Sequence, residues 1–300
     1  MELELGMQPV IACNTTSYER ILVIADIHGG HKALMALLAK LEPGQGDLLV
    51  TLGDYIDRGP DSRAVIAELR NLSARGNSLH LRGNHEGMLL MAMSHSPEMA
   101  GLYDESVPSD TTSLAGKIHM WLSNGGLETL DSYCRDAGAA AQKSLAGLKK
   151  ALHETNWLGP RTLSDRDALI KHYTELIPVV PTEDYVFLRK TCVDALAIDR
   201  FILVHGGHKA HCSLRKQTLA TLHWGSPSDG CTSLLETLVV GHQIMRQWLP
   251  KRIGSLIYLD TGSSCIIGGR LTCMDILSLQ FWQADQNGHI CHSGKLTSKF

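Results

Sequence analysis

The chain has no C-x-x-C pair. Its eight cysteines, from Cys13 to Cys291, are scattered along the sequence. That spacing excludes a disulfide framework of the small secreted kind, and reduced thiols in a cytoplasmic setting are expected. No apolar run approaches the ~20 residues of a membrane span. The opening stretch MELELGMQPV is acidic and has no basic n-region, so no secretory signal is expected. Net charge is small as well, at −3, and supplies no electrostatic argument for a nucleic-acid or membrane partner. What is present is ordinary for a folded protein: 300 residues, 44% hydrophobic and 20% charged, enough to bury a substantial core. No repeat or clear linker divides them, so one domain over residues 1–300 is expected.

The first half reads as three strand–turn–helix units. RILVIADIHGG (20–30) is an apolar β-branched run that delivers Asp26 and His28 at its carboxyl end, and HKALMALLAKL then follows at helical spacing. DLLVTLGD (47–54) is a second strand, followed by an amphipathic helix over 61–76 with Asp61 or Ser62 as its N-cap. SLHLRGNHE (78–86) is a third, and GMLLMAMSH reads as a helix. A β-α-β-α-β-α order predicts a parallel sheet with crossover helices. Ligands sit beyond the carboxyl ends of such strands, so all three polar turns fall on one edge.

Residues 96–116 are turn-rich and read as an exposed excursion, and about 110–180 reads as a helical cap or insertion. Strands return with TCVDALAI and RFILVHGG, expected to be an antiparallel pair, then TLVVGHQ, SLIYLDTGSS and LTCMDILSLQFWQA. Asp26, His28, Asp54, Asn84, His205 and His242 thus stand at strand ends beside glycines, which let the backbone turn sharply and approach an ion. Carboxylate, imidazole and amide donors without thiolate suit manganese, iron(II), zinc or magnesium. The tract HICHSG near the C-terminus (289–294) lacks partner ligands at suitable spacing and is set aside.

The motifs DIHG, GDYIDRGP, LRGNHE, VHGG and GHQ, in that order, resemble the phosphoprotein phosphatase family of metallophosphoesterases. WLSNGGLETLDSY and the stretch from RIGSLIYLDTGSS to LTCMDI resemble its bacterial serine/threonine-phosphatase branch, and the likeness spans roughly residues 20–280. It implies a four-layer α/β/β/α sandwich of two mixed sheets with a helical insertion. It also implies two divalent ions, with manganese expected and iron, zinc or magnesium as alternatives. Asp26 and His28 would hold the first ion, Asp54 would bridge, and Asn84, His205 and His242 would hold the second. Two such ions can share and acidify a water for in-line attack on a phosphoryl group. His85 would then be the general acid, Asp57 its orienting carboxylate and Arg58 a phosphate clamp, with Asn84 also near the substrate.

The chain departs from that pattern after β-strand VHGG. The family's bacterial members show an LWIR-like segment with a second phosphate-directed arginine, whereas this chain has LHWGSPSDG with Gly225. Arg246 is the candidate replacement in the substrate site, and Gln243 stands where threonine is usual. Arg82 reads as structural. The function expected is a phosphomonoesterase acting on phosphoserine or phosphothreonine proteins or on small phosphoesters. The alternative is a nucleotide or nucleic-acid-end phosphoesterase with the same centre, although such relatives more often carry Asp after the GNH. An inactive metal-binding scaffold is the remaining reading.

Overall fold

A strand that is apolar on both faces needs a packed layer above and below it. The computed structural model, which describes residues 11–13, 17–93, 113–155, 159–160, 162–227, 231 and 235–297, supplies both. The first half runs β1 (Ile11–Cys13), β2 (Arg20–Ile24), α1 (His31–Leu41), β3 (Asp47–Thr51), α2 (Ser62–Arg75), β4 (Ser78–His80) and α3 (Asn84–Met93). Helices follow: α4 (Leu114–Trp121), α5 (Leu127–Cys134), α6 (Ala139–Glu154), α7 (Leu163–Leu176) and α8 (Thr182–Val186). Then come β5 (Ala195–Ile198), β6 (Phe201–Val204), α9 (Leu219–Trp224), β7 (Thr237–Val240), β8 (Lys251–Ile253) and β9 (Leu256–Tyr258). The chain closes with β10 (Leu271–Asp275), β11 (Gln280–Ala284) and β12 (Ile290–Lys295).

Two six-stranded sheets result, ordered β1-β5-β6-β7-β9-β8 and β12-β11-β10-β2-β3-β4. β2, β3 and β4 are parallel, as the strand–turn–helix repeat predicts. β5 and β6 are antiparallel, again as expected, while β6, β7 and β9 run parallel. The period-2 alternation of each strand sorts its side chains between layers. Ile21, Val23, Leu48 and Val50 meet Phe201, Leu203 and Val239 in a buried cluster between the sheets. Leu22, Ile24 and Leu49 pack instead with Leu34, Ile66 and Trp121 of the helices. On the far side, Ile202 and Val204 pack with Leu222 of α9. This is the expected four-layer order, with a thin outer layer over the second sheet.

The structure differs from the sequence reading in places. LTCMDILSLQFWQA is two strands, β10 and β11, joined by a tight turn at Leu279, whose φ is 62°. HICHSG forms most of the exposed edge strand β12, paired with β11. The helical insertion runs on to a π-helical turn at Phe187–Thr191. Asp61 occupies the N-cap of α2 but makes no side-chain cap bond; its carboxylate accepts from Arg135 Nη1 at 2.5 Å instead. Most of the turn-rich 96–116 stretch lies outside the described residues. Among the described residues no helix is long and apolar enough to cross a membrane.

Gly53 and Gly83 show how the strand ends are fitted together. Gly53 has φ 102°, and a Cβ there would strike the Gly83 backbone, 2.7 Å from its Cα. Gly53→Ala should therefore lower folding stability by roughly 1–3 kcal/mol, since strain from the left-handed φ adds to the collision. A urea denaturation midpoint equal to the parent's would refute that close approach.

Candidate active site

All six proposed ligands come together at the carboxyl ends of β2, β3, β6 and β7 and the first turn of α3. Asp54, 2% exposed, lies at their centre. Its Oδ2 is 3.4 Å from His28 Nε2 and its Oδ1 is 3.3 Å from His205 Nε2. Two donors about 2.1 Å from a shared ion, at angles between right and tetrahedral, are themselves roughly 3.0–3.4 Å apart. Asp54 thus offers one oxygen to each histidine at ligand spacing. The remaining nitrogens of those histidines are occupied: His28 Nδ1 donates to the Ile56 carbonyl at 2.9 Å and His205 Nδ1 to that of Leu52 at 3.0 Å. Such bonds fix the tautomer that leaves Nε2 free to ligate. Asn84 Oδ1 lies 2.9 Å from His205 Nε2, and the His242 ring packs edge-on against that of His205. Asp26 Oδ1 accepts from the His242 backbone N–H at 2.9 Å, whereas its buried Oδ2 has no hydrogen-bond partner.

Electrostatics point the same way. Burial, then Asp260, pushes the Asp26 pKa well above the usual carboxylate range. Burial would also raise Asp54, but His205, His85 and His28 hold it well below its ordinary value. His205 is depressed by burial, yet Asp54 and Asp26 outweigh this and lift it to about 10. His28, by contrast, is lowered to about 3, chiefly by burial and then by His85. The lift on His205 reflects the excess of negative charge that Asp54 and Asp26 place around it. An orphaned carboxylate oxygen, two histidines with aligned Nε2 atoms and a central carboxylate together fit a pair of divalent ions.

His85 faces this cluster. Its Nδ1 pairs with Asp57 Oδ2 at 2.7 Å, and its Nε2 is 3.8 Å from Asp54 Oδ2. His28, Asp54 and His85 could by spacing alone hold an ion, as could Asp54, His205 and His242. Asp57 is fully buried and held by Trp121 Nε1, at 3.0 Å from Oδ1, and by Thr129 Oγ1 at 2.7 Å. Sequence reasoning missed both residues. Their stretch, WLSNGGLETLDSY, was legible only as a family signature, because nothing local says that an indole on α4 reaches residue 57. It also missed Glu86, whose carboxylate accepts from the backbone N–H groups of Gly83, Asp54 and Tyr55. Asp260, buried next to Asp26 and held by Gly262 N–H at 2.8 Å, gave no signal either.

Arg58 follows Asp57 but points outward. Its backbone N–H donates to Gly125 at 3.2 Å, and its Nη1 donates to Cys265 Sγ at 3.1 Å. Its charge bears on His28, His85 and His242. Arg246 is exposed in a hollow with Met245, Lys251, Ile253 and Tyr258, a wall that includes none of the six ligands. The structure therefore does not bring it to the cluster. Beyond it, Gln247 and Trp248 have φ of 66° and 56°, and the backbone runs on to β8. Arg82 is buried; it donates to the Cys192 carbonyl at 2.9 Å and lies 3.6 Å from Asp194, a structural role as expected.

Five residues of the site, His28, Asp54, Asp57, Arg58 and His242, have φ between 46° and 73°. Left-handed backbone is uncommon away from glycine, and its concentration here is the strain expected of a preorganised site.

Buried carboxylates and histidines converging on strand ends between two stacked sheets form a candidate metal site. The chain belongs to the calcineurin-like phosphoesterase family, whose model matches residues 19–260. It is 39% identical over 253 residues to serine/threonine-protein phosphatase 2 of Salmonella typhimurium, covering 84% of this chain and 91% of that one. It is 37% identical over 112 residues to serine/threonine-protein phosphatase 1 of the same organism, but that match spans only 40% of the relative's length. Another, at 33% over 115 residues, spans 41% of serine/threonine-protein phosphatase 2 of Escherichia coli. A solved cold-active protein tyrosine phosphatase superposes with a TM-score of 0.51 at 17% identity, over 95% of this chain and 80% of that one. At that identity the likeness concerns the fold alone.

If Asp54 serves two ions, Asp54→Asn should lower metal content from two ions per chain to one or none and abolish turnover, whereas Asp26→Asn should weaken only one site. Inductively coupled plasma analysis of the purified variants measures this. Two ions and near-parental turnover in Asp54→Asn would refute the bridge.

Proposed function

We propose that the protein is a metal-dependent phosphomonoesterase that hydrolyses phosphoserine and phosphothreonine in protein substrates. The observation that carries this reading is the Asp54 carboxylate, with one oxygen toward His28 and the other toward His205. Asp26, His28 and Asp54 would hold one ion; Asp54, Asn84, His205 and His242 would hold the other. Manganese is the proposed metal, because the donors are oxygen and imidazole nitrogen without thiolate. When bound, the ions would supply Lewis acidity and an acidified water.

The chain's own residues supply the rest. Arg58 would meet phosphate oxygens with a planar, permanently charged fork. Its thiol partner Cys265 is pushed up to about 12 by burial and stays protonated, so it holds the guanidinium without neutralising it. His85 is the proposed proton donor to the departing alkoxide. Asp57 fixes its ring through Nδ1, so the proton to be delivered is the one on Nε2. Trp121 and Thr129 keep Asp57 from turning away.

The choice of phosphoserine and phosphothreonine is supported by the near full-length match to a protein named serine/threonine-protein phosphatase. A bacterial setting is supported by the source of the relatives, and a cytoplasmic one is proposed with it.

A substrate panel tests the reading. With manganese added, phosphoserine and phosphothreonine peptides should be turned over with higher kcat/KM than diadenosine tetraphosphate. The reverse order would favour a nucleotide phosphoesterase, and activity on nothing, p-nitrophenyl phosphate included, an inactive scaffold. His85→Asn should retain both ions yet lose roughly 10²–10⁴-fold in rate on phosphoserine peptides. Its loss on p-nitrophenyl phosphate should be smaller, since that phenolate departs with little protonation. Loss of an ion in His85→Asn would make this side chain a ligand instead of the acid.

A further inference from the structure

A cavity of about 490 Å³ lies against the outer side of the site, within the size range of ligand pockets. Its wall includes Gly29, Lys32, Arg58, Gly59, Asp61 and Arg135. Two of these are the residues that follow the site: Gly29 comes next after His28, and Gly59 next after Arg58. Adjacent Cα atoms are about 3.8 Å apart, so the cavity begins where the ligand cluster ends. Arg58 lines it and also bears on His28, His85 and His242. Arg58 thus stands between the cavity and the ligand cluster.

The charge of that wall is unbalanced. Lys32, Arg58 and Arg135 are cationic, and Asp61 is the one carboxylate among the lining residues. Asp61 is itself engaged, accepting from Arg135 Nη1 at 2.5 Å, while Arg135 Nη2 donates to the Pro60 carbonyl at 2.6 Å. These two bonds anchor the Arg135 guanidinium at the cavity, and the Lys32 side chain is exposed there. Gly29 and Gly59 let the two turns pack backbone to backbone, since a Cβ on Gly59 would meet the His28 carbonyl and one on Gly29 the Gly59 carbonyl, and this holds Arg58 and Asp61 at the cavity wall. The N-terminus of α1, at His31 and Lys32, adds positive potential to the same wall.

We propose that this cavity is an accessory anion subsite that takes a second phosphate group on the same peptide, close in sequence to the phosphoester being hydrolysed. The proposal rests on the phosphatase reading above and narrows it to multiply phosphorylated segments. An extended peptide advances roughly 3.3–3.6 Å per residue, so a second phosphoserine one to three residues away reaches the next chamber while the first lies over the ions. Arg58 would then stand between the two phosphates. Lys32 and Arg135 would contribute to binding the second without touching the first.

The test compares singly and doubly phosphorylated peptides of otherwise equal sequence, with phosphoserine spacings of one to three residues, on the manganese-loaded full chain. For at least one spacing, kcat/KM should be about tenfold higher for the doubly phosphorylated peptide, mainly through KM, as expected of one or two charge-assisted contacts. Lys32→Glu should erase the preference while leaving p-nitrophenyl phosphate turnover unchanged. Arg135→Ala should erase most of it, and because that variant frees Asp61, its denaturation midpoint is measured alongside. Absence of a preference in the parent, or its survival in Lys32→Glu, overturns the proposal. So does a Lys32-dependent advantage seen for diadenosine tetraphosphate and not for the peptides. Calorimetric binding of the same peptides separates this from failure of the phosphatase reading. If turnover is absent throughout but the doubly phosphorylated peptide binds about tenfold tighter in a Lys32-dependent way, the subsite stands and the catalytic reading falls. Equal binding of both peptides removes the subsite.

Discussion

The carboxylate of Glu86, fully buried, holds the site together. It accepts from Asp54 N–H and Tyr55 N–H at 2.8 Å each and from Gly83 N–H at 2.9 Å. The turn after β3 and the turn after β4 are thereby fastened to one acceptor. A buried backbone N–H left without a partner is costly, and these amides cannot find partners in the β ladder because the chain has left it. Fastening them this way places Asp54 beside the first turn of α3, which carries Asn84 and His85. The same geometry explains the glycines: a Cβ on Gly83 would collide with the Asp54 carboxylate.

The consequence is a dense patch of acid. Asp26, Asp54, Asp57, Glu86 and Asp260 are each at most 2% exposed. Buried carboxylates need hydrogen bonds or opposite charge, and each of these meets that need differently. Glu86 takes backbone amides. Asp57 takes an indole, a hydroxyl and an imidazole. Asp54 sits among three histidines, of which His205 is the one lifted, to about 10, by Asp54 and Asp26. Asp26 is left with an oxygen that nothing satisfies, and Asp260 is pushed up to about 6 by burial. Cations are what such a cluster lacks, and the free oxygen and aligned Nε2 atoms mark the positions where they would be held.

The parallel strands and the six candidate ligands were legible because they depend on local pattern: β-branched runs, helical spacing and glycine-flanked polar turns. The family motifs sharpened what the spacing suggested. What was illegible depends on tertiary contact. Trp121 and Thr129 act on a residue some seventy positions away, through helices whose own pattern reports only an apolar face. Arg246, the candidate replacement that also read as a surface residue, is exposed in a hollow without the six ligands. The LTCMDILSLQFWQA hairpin was legible only as one stretch because its turn over residues 276–279, which ends at Leu279 with a left-handed φ, lacks the glycine or asparagine that marks most tight turns.

The turn GDYIDRGP joins these levels. Asp57 and Arg58 are consecutive residues in left-handed backbone, with φ of 73° and 66°, yet one is fully buried and the other exposed. The helical layer holds the inward one through Trp121 and Thr129, and the outward one through Gly125, whose φ of 107° lets its carbonyl accept from Arg58 N–H. Gly126 leaves space for the Trp121 ring, which a Cβ there would meet at 2.6 Å. Strain in the turn is thus sustained by contacts from outside it. The π-helical turn at Leu122–Gly126 is part of the same arrangement, because a regular helix would not present Gly125, Gly126 and Trp121 to one turn in this way. The helical insertion therefore acts on the site from beneath: it fixes the carboxylate that orients His85 and the backbone that carries Arg58, while the strand ends supply the ligands.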